Sequence, residues 1–242
     1  MTSRLGLLAA TASLILAACQ PCVGADKAFG DKVRAYLLAH PEVLEEASQK
    51  LQATAEARIE AAQRRAEANL PKLRSAIERD PRDFVANPAG GITVTEFYDY
   101  RCPHCISMAP QLLALIHRRP DVRFVFKEMP IFGAESDHAA YAALAVRKAG
   151  GDYLGLYQNF MAARPLDDAS IDSIAVAKGA NRADIFPGAS STSQLASTKA
   201  LFDKLALDGT PGFVVGNHIM SGDDMAALEA AIDKTRLEPT GG

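Results

Sequence analysis

The sequence predicts an α/β fold that contains a parallel βαβ unit, with several helices inserted later in the chain and a helical segment before it. Residues 92–98 are rich in β-branched and aromatic side chains, a helical pattern runs from residue 105 to 116, and residues 121–126 form a second apolar run. Strand, helix and strand in this order require a parallel pairing of the two strands.

The remaining elements follow from local signals. Residues 136–207 have helical character with breaks at 150–151, 164–165 and 186–188, and we expect a helical insertion there. A short strand is predicted at Phe213–Val215, then a turn, another short strand to residue 220, and a final helix at 223–234.

The N-terminal residues 1–25 are typical of a secretory signal peptide, because an early arginine precedes a short apolar run from 5 to 18. Two cleavage positions fit. Residues 16–19 read Leu-Ala-Ala-Cys, which resembles a lipobox with cleavage before Cys19 and a lipid anchor on that residue, whereas small residues also permit cleavage after Ala25. Both alternatives stay open.

Residues 26–80 are rich in Ala, Glu, Arg and Gln, and they predict a helical stalk and spacer. Pro41 and Pro71 suit the first turn of a new helix, so three helical pieces are expected at 31–39, 41–69 and 71–79.

An apolar stripe on the first part of this segment is too small to enclose a core of its own. Its members are Val33, Tyr36, Leu37, Val43, Leu44 and Leu51. The stripe either packs on the rest of the chain or mediates self-association, and we favour self-association; beyond residue 51 it thins, which predicts an exposed spacer.

Residues 81–242 are long enough for one main domain, and the formal net charge of the chain is −3 with mixed signs throughout. Such a chain lacks the basic surface that neutralises phosphates, so nucleic acid is excluded as a partner.

The Cys102-Pro103-His104-Cys105 motif stands at the junction of the predicted strand and helix. The first sulfur lies at the helix N-terminus, where free N–H groups and the helix dipole favour a thiolate, so Cys102 is the predicted nucleophile. Pro103 fits the first turn, a protonated His104 lowers the pKa of the nucleophile further, and Cys105 is placed to resolve a mixed disulfide. A zinc half-site lacks two further ligands, and a structural disulfide is the other alternative.

Residues 97–105, Phe-Tyr-Asp-Tyr-Arg-Cys-Pro-His-Cys, followed downstream by Thr210-Pro211, resemble the DsbA-type proteins over about residues 83–236. The resemblance implies a thioredoxin fold with an inserted helical domain. The N-terminal segment is similar to the α-helical oligomerisation stalks of the ScsC branch, which implies a homo-oligomer, with a trimer as the candidate assembly.

The same resemblance implies a cis Thr210–Pro211 peptide that faces the cysteines, with the Thr210 backbone pairing to a substrate strand. Threonine before this proline is reminiscent of disulfide isomerases, whereas strong oxidases often carry valine. Glu96 shares a strand face with Val94 and Tyr98, and in the family an acid at this place shuttles protons for the second cysteine.

The expected function is therefore an exported thiol-disulfide oxidoreductase, an isomerase by preference, with a Cys102–Cys105 redox disulfide and no other cofactor. The alternatives are a DsbA-type oxidase and an envelope protein that binds copper(I) through the two cysteines. The family implies unfolded or misoxidised envelope proteins as substrates, and a membrane redox partner of the DsbD/ScsB or DsbB kind. The expected location is the periplasm or envelope of a Gram-negative bacterium.

Lys127, near the end of the second predicted strand, is interpreted as an exposed lysine without a role. The histidines outside the motif show no ligand spacing, and the methionines at 108 and 129 are interpreted as core residues.

Overall fold

A computed structural model of the chain describes residues 23–237, in two compact units that divide between Ala55 and Glu56. The proposed lipobox, Cys19 and most of the predicted signal peptide lie outside these residues. Within the described part of the chain, none of the helices has the length and apolar character needed to cross a membrane.

Eight helices and five strands make up the described residues. In chain order they are α1 (Val23–Ala39), α2 (Glu42–Glu78), β1 (Phe84–Ala86), β2 (Ile92–Tyr98), α3 (Pro103–Arg118), β3 (Val122–Glu128), α4 (Ala134–Ala149), α5 (Tyr153–Ala162), α6 (Asp168–Ala177), a 3-10 turn (Arg182–Asp184), α7 (Ala189–Lys204), β4 (Gly212–Val215), β5 (His218–Ser221) and α8 (Met225–Leu237). The predicted βαβ unit, the three breaks in the helical insertion and the two late strands are thus present.

The five strands form one mixed sheet in the order β1-β3-β2-β4-β5. β2 and β3 are parallel, and the other pairs are antiparallel. The sequence did not predict β1, because this strand is three residues long and is stabilised by its pairing with β3, far along the chain. The predicted α/β architecture, a thioredoxin fold with helices inserted between β3 and β4, is confirmed.

β2 lies in the middle of the sheet, and its alternate residues face two hydrophobic cores. Val94 and Tyr98 contribute to the larger core, together with α3 and the inserted helices α4–α6. Phe97 contributes to the smaller core on the other face, where α2 and α7 pack. The strand that leads to the cysteines is therefore buried on both sides.

The predicted helix break at Pro71 is wrong, because α2 continues through this residue to Glu78. Pro71 is exposed, so the carbonyl group that loses its helical hydrogen bond can bind water. Leu70 and Ile77, on either side of the proline, are each 1 % exposed in the smaller core. Their packing stabilises the helix on both sides of Pro71. The expected exposed spacer therefore ends before Ala66, and the second compact unit begins at Glu56.

The expectation of an exposed Lys127 is also wrong. Its side chain is buried on the α7 side of the sheet, where its ammonium group lies 2.5 Å from the carboxylate of Asp83. Gln194 of α7 donates a second hydrogen bond to this carboxylate at 3.3 Å. A lysine can be buried at low cost only when its charge is paired in this way, and the partner is 44 residues away in the chain.

Large apolar side chains are exposed on the first unit, which comprises α1 and the start of α2. Phe29, Tyr36, Leu38, Leu44 and Leu51 each expose more than half of their surface. Phe29, Leu38 and Leu44 line one groove. An exposed apolar surface of this kind on a small helical unit is typical of an interaction site.

Candidate functional site

Cys102 is the N-cap residue of α3, and Pro103 is the first residue of the helix. β2 ends four residues earlier, so the sheet and the helix together fix the position of the sulfur. The Cys102 Sγ lies 3.0 Å from the carbonyl oxygen of Thr210, in the loop before β4. Cys102 and Cys105 are both present as free thiols.

The surroundings of Cys102 favour the thiolate. The Cys105 thiol donates a hydrogen bond to the Cys102 sulfur, and the backbone N–H groups of Cys105 and His104 point at the same atom. These donors outweigh the cost of burial and lower the pKa of Cys102 from its ordinary value to about 5.

Cys105 has the opposite character. It lies one turn further along α3 in the larger core and is inaccessible to solvent. Burial raises the pKa of its thiol, and the hydrogen bond to Cys102 and the carboxylate of Glu96 raise the pKa further. A thiol in such a place needs a neighbouring proton acceptor before it can attack a disulfide.

His104 is the exposed member of the motif. Its Nδ1 lies 3.0 Å from a carboxylate oxygen of Asp223, just before α8, and Ser107 donates a hydrogen bond to the same oxygen. This contact with Asp223 raises the pKa of His104. The imidazolium is thereby favoured beside the Cys102 thiolate.

Glu96 lies on β2 and faces the larger core, as its alternation with Val94 and Tyr98 predicts. The carboxyl group is 3 % exposed, and the hydroxyl of Tyr157 donates to it at 3.3 Å. Burial raises the pKa of Glu96, and the hydrogen bond from Tyr157 opposes part of this rise. The structure thus brings Glu96 close enough to Cys105 for its charge to act on that thiol.

The Thr210–Pro211 peptide bond is cis, in agreement with the family resemblance. Both residues are buried beside Cys102, and the side chain of Thr210 is one of the hydrogen-bonding groups that lower the pKa of Cys102.

Asp99 is a central residue of the site that the sequence did not reveal. Its buried carboxylate accepts hydrogen bonds from the backbone N–H groups of Arg101, Ile131 and Phe132, and from the hydroxyl of Ser136. The loop before Cys102 and the loop after β3 are thereby joined. An aspartate three residues before a helix N-cap is a weak turn signal, and the distant donors cannot be read from the sequence.

Glu128, at the end of β3, is the second residue that the sequence did not reveal. Its Oε1 accepts hydrogen bonds from the hydroxyls of Tyr153, Tyr98 and Tyr100, at 2.5, 2.7 and 3.2 Å. The residue is 3 % exposed, and burial raises its pKa while the three hydroxyls oppose the rise. The sequence signal that could have indicated a buried acid here is the position of Glu128 at the end of an apolar strand.

The arrangement therefore combines an acidic thiol, a buried second thiol and a buried acid around one helix N-terminus. These groups are suited to thiol-disulfide exchange. Among residues 23–237, no three or more His, Cys, Asp or Glu side chains are grouped so that they could hold a metal ion.

Comparison with known proteins identifies both parts of the chain. Residues 93–233 match the DSBA-like thioredoxin domain family, and residues 27–58 match the N-terminal domain of the copper resistance protein ScsC. The thiol:disulfide interchange protein DsbA of Bordetella pertussis is 26% identical over 159 residues, which cover 60% of this chain and 75% of that protein.

Two crystal structures show the same likeness. A thioredoxin-like oxidoreductase from Silicibacter pomeroyi is 33% identical, with a TM-score of 0.64 over 68% of this chain and 98% of that chain. Proteus mirabilis ScsC in a transitional conformation is 29% identical, with a TM-score of 0.63 over 88% of this chain and 95% of that chain. The protein is thus a thiol-disulfide oxidoreductase of the DsbA and ScsC type and belongs to the DSBA-like thioredoxin domain family, with an ScsC N-terminal domain before its catalytic part.

Proposed function

We propose that the protein is an exported disulfide isomerase that acts through a mixed disulfide at Cys102. The observation that carries this proposal is the Cys102 sulfur at the N-terminus of α3, surrounded by donors and 3.0 Å from the Thr210 carbonyl. A low thiol pKa keeps Cys102 as the thiolate at neutral pH, ready to attack a wrongly paired disulfide.

In the first step, the Cys102 thiolate attacks one sulfur of a substrate disulfide and releases the other as a thiolate, which takes a proton from water. The substrate strand lies along the Thr210 backbone before the cis Pro211. If the released substrate thiolate attacks another disulfide of the substrate, the thiolate freed there can attack the substrate sulfur of the mixed disulfide. The substrate is then rearranged, and Cys102 leaves as the thiolate. No net oxidant or reductant is then consumed.

If the substrate does not rearrange, Cys105 resolves the intermediate. Its thiol transfers a proton to Glu96, and its sulfur attacks the Cys102 sulfur, which forms the Cys102–Cys105 disulfide and releases the reduced substrate. This disulfide is the proposed redox centre, and no other cofactor is required. A membrane redox partner of the DsbD/ScsB type would reduce it again for isomerase work.

We favour isomerase over oxidase activity because we expect the protein to self-associate. The apolar surface of the first unit, with Tyr36 and Leu44 exposed, supports a homo-oligomer that presents several Cys102 sites to one substrate, with a trimer as the candidate assembly. A periplasmic or envelope location fits the signal-like N-terminus and the solved structure of a periplasmic thioredoxin-like protein from Salmonella enterica, which is 25% identical. A lipid anchor at Cys19 belongs to this proposal as one of two cleavage alternatives.

The test is reactivation of scrambled ribonuclease by the reduced protein, compared with a Leu37→Glu/Leu44→Glu variant. The charges should separate the copies, and we expect the variant to lose most of the reactivation while it still reacts at Cys102. Gln49→Glu, an exposed polar position of α2, is the matched control and should keep full activity and assembly.

Two outcomes would contradict the proposal. If Cys102→Ser leaves reactivation unchanged, the mixed disulfide at Cys102 is wrong. If both assembled and separated forms fail to reactivate scrambled ribonuclease but oxidise reduced ribonuclease, the protein is an oxidase served by a DsbB-like partner, as its likeness to the Bordetella protein named DsbA would favour.

A second candidate function is copper(I) binding, favoured by the match of residues 27–58 to a domain named for copper resistance. Two adjacent thiols are ligands that suit copper(I). Such binding should survive replacement of Thr210 and Pro211, whereas substrate turnover should not. Equilibrium competition with a chromogenic copper(I) chelator would measure it.

A further inference from the structure

Glu128 is a buried acid that the proposed exchange steps do not use. It lies on the same face of the sheet as Glu96, on the neighbouring parallel strand. The register pairs Tyr98 with Glu128 and Phe126 with Glu96, so the two acids are diagonal neighbours, two residues apart along the strands. Two acids held this close in a core cannot both ionise easily.

The hydrogen bonds of the two carboxyl groups differ. Three tyrosine hydroxyls surround Oε1 of Glu128, and the one from Tyr98 donates at 2.7 Å. Within residues 23–237, Glu96 accepts a hydrogen bond only from Tyr157, at 3.3 and 3.5 Å. The hydroxyl of Tyr98 also lies 2.7 Å from that of Tyr153 and 3.0 Å from that of Tyr100, so the three hydroxyls and Oε1 form one hydrogen-bonded cluster. Glu128 therefore has more hydroxyl groups around it than Glu96, and each one that donates stabilises the charged form.

We propose that Glu128 ionises before Glu96 in this buried pair and, once charged, keeps the proton on Glu96. Glu128 is thus a positioning residue, because it acts on Cys105 only through Glu96. The inference rests on the proposed role of Glu96 as the proton acceptor of Cys105. The titratable groups that face Glu128 are Tyr98, Tyr100, Tyr153 and Asp99, and those that face Glu96 are Tyr157, Cys105 and Glu128 itself.

The charge has opposite effects on the two directions of exchange. When Cys105 attacks the mixed disulfide, its proton must pass to an ionised Glu96, which the charge of Glu128 disfavours. When the Cys102–Cys105 disulfide is opened by a substrate thiolate at Cys102, Cys105 leaves as a thiolate and takes the proton that Glu96 holds. Glu128 therefore favours release of a reduced Cys105 over its return to the disulfide.

The experiment measures the rate at which the reduced full-length mature protein reacts with dithiobis(nitrobenzoate) at a series of pH values. Attack by Cys102 releases the first thionitrobenzoate, and attack by Cys105 on the mixed disulfide releases the second. Glu128→Gln removes the charge at nearly constant volume. The rate of the second phase should rise with pH as Glu96 ionises, and we call this rise the pH limb. In the Glu128→Gln variant we expect the limb to lie about one pH unit lower, so that the second phase is roughly tenfold faster at pH values below the limb.

Three further variants make the result specific. Tyr153→Phe removes one donor to Glu128 and should shift the limb in the same direction by a smaller amount. It replaces Glu128→Gln as the test if the glutamine variant does not fold. Tyr141→Phe, the same chemical change in α4 outside the hydroxyl cluster, should leave the limb in place. In a Glu96→Gln background the shift caused by Glu128→Gln should disappear.

The outcomes separate the two proposals. If the unaltered protein shows no first phase, Cys102 does not react with the disulfide and the proposed function is wrong. If both phases occur, Glu96→Gln slows the second, and Glu128→Gln leaves the limb unmoved, the inference about Glu128 is overturned. A shift that persists in the Glu96→Gln background also overturns it, because Glu128 would then act by another route.

Discussion

The low pKa of Cys102 predicts that its thiolate contributes more to the stability of the reduced protein as the pH rises. The thiol titrates at about 5 in the folded protein, against an ordinary value of about 9 in an unfolded chain. Since the folded-state pKa is depressed, the contribution is fully present above pH 9 and is lost as the pH falls through 5.

The magnitude follows from the size of this shift. Four pKa units correspond to about 5 kcal/mol of unfolding free energy above pH 9, and to about half of that at pH 7. Glu96 and Glu128 act in the opposite sense, because their raised pKa values make the folded state lose stability as the pH rises. The pH dependence of the unaltered protein is therefore a sum of opposing contributions.

The measured quantity is accordingly the difference between the reduced protein and Cys102→Ser, which cannot form a thiolate at this position. Urea denaturation under a phosphine reductant would give both free energies from pH 5 to pH 9. Tyrosine fluorescence is a suitable probe, since the chain has no tryptophan. A difference that stays constant across this range would refute the assignment of a stabilised thiolate to Cys102.

Four further predictions concern the buried charged residues and the residues around Cys102. Asp99→Ala should lower the unfolding free energy by about 3 kcal/mol, because two loops lose their charged acceptor, and hydrogen exchange should accelerate in the loop after β3. Lys127→Met should destabilise the fold by about 3–5 kcal/mol in denaturation experiments by leaving Asp83 unpaired, and a second change of Asp83→Leu should restore most of the loss. Thr210→Val removes a hydrogen bond to the Cys102 sulfur, so it should raise the pKa of Cys102 and, by measured redox equilibrium with glutathione, make the protein less oxidising. His104→Ala should raise the pKa of Cys102, as measured by the ultraviolet absorbance of its thiolate.

The sequence predicted the central elements because their signals are local. The strand at residues 92–98 and the helix after Cys102 are defined by side-chain periodicity and by the Cys-Pro dipeptide, and the structure has both at nearly the predicted bounds. Strand β1, in contrast, exists because β3 pairs with it, and nothing within its three residues requires a strand. Local patterns cannot reveal a partner that is distant in the chain.

The same limit applies to charged residues. The sequence does not indicate that Lys127 and Glu128 are buried, because their partners are distant in the chain. The partner of Lys127 is Asp83, before β1, which Gln194 of α7 also contacts, and the hydroxyl donors of Glu128 include Tyr153 of α5. The local sequence predicts a helix start at Pro71, but Leu70 and Ile77 pack firmly enough in the smaller core to carry α2 past it. In each case tertiary contacts outweighed a correct local preference.

The position of β2 between two cores limits how this protein can vary in length. Side chains alternate along the strand, so one added or deleted residue within β2 ahead of Glu96 would turn Glu96 to the α7 face and direct Phe97 towards the cysteines. Such a change would exchange an acid for an aromatic ring at the site and would leave a carboxyl group in the smaller core. Insertions and deletions in natural relatives should therefore avoid this part of β2 and fall instead in the exposed turns of the helical insertion, where no strand register has to be kept.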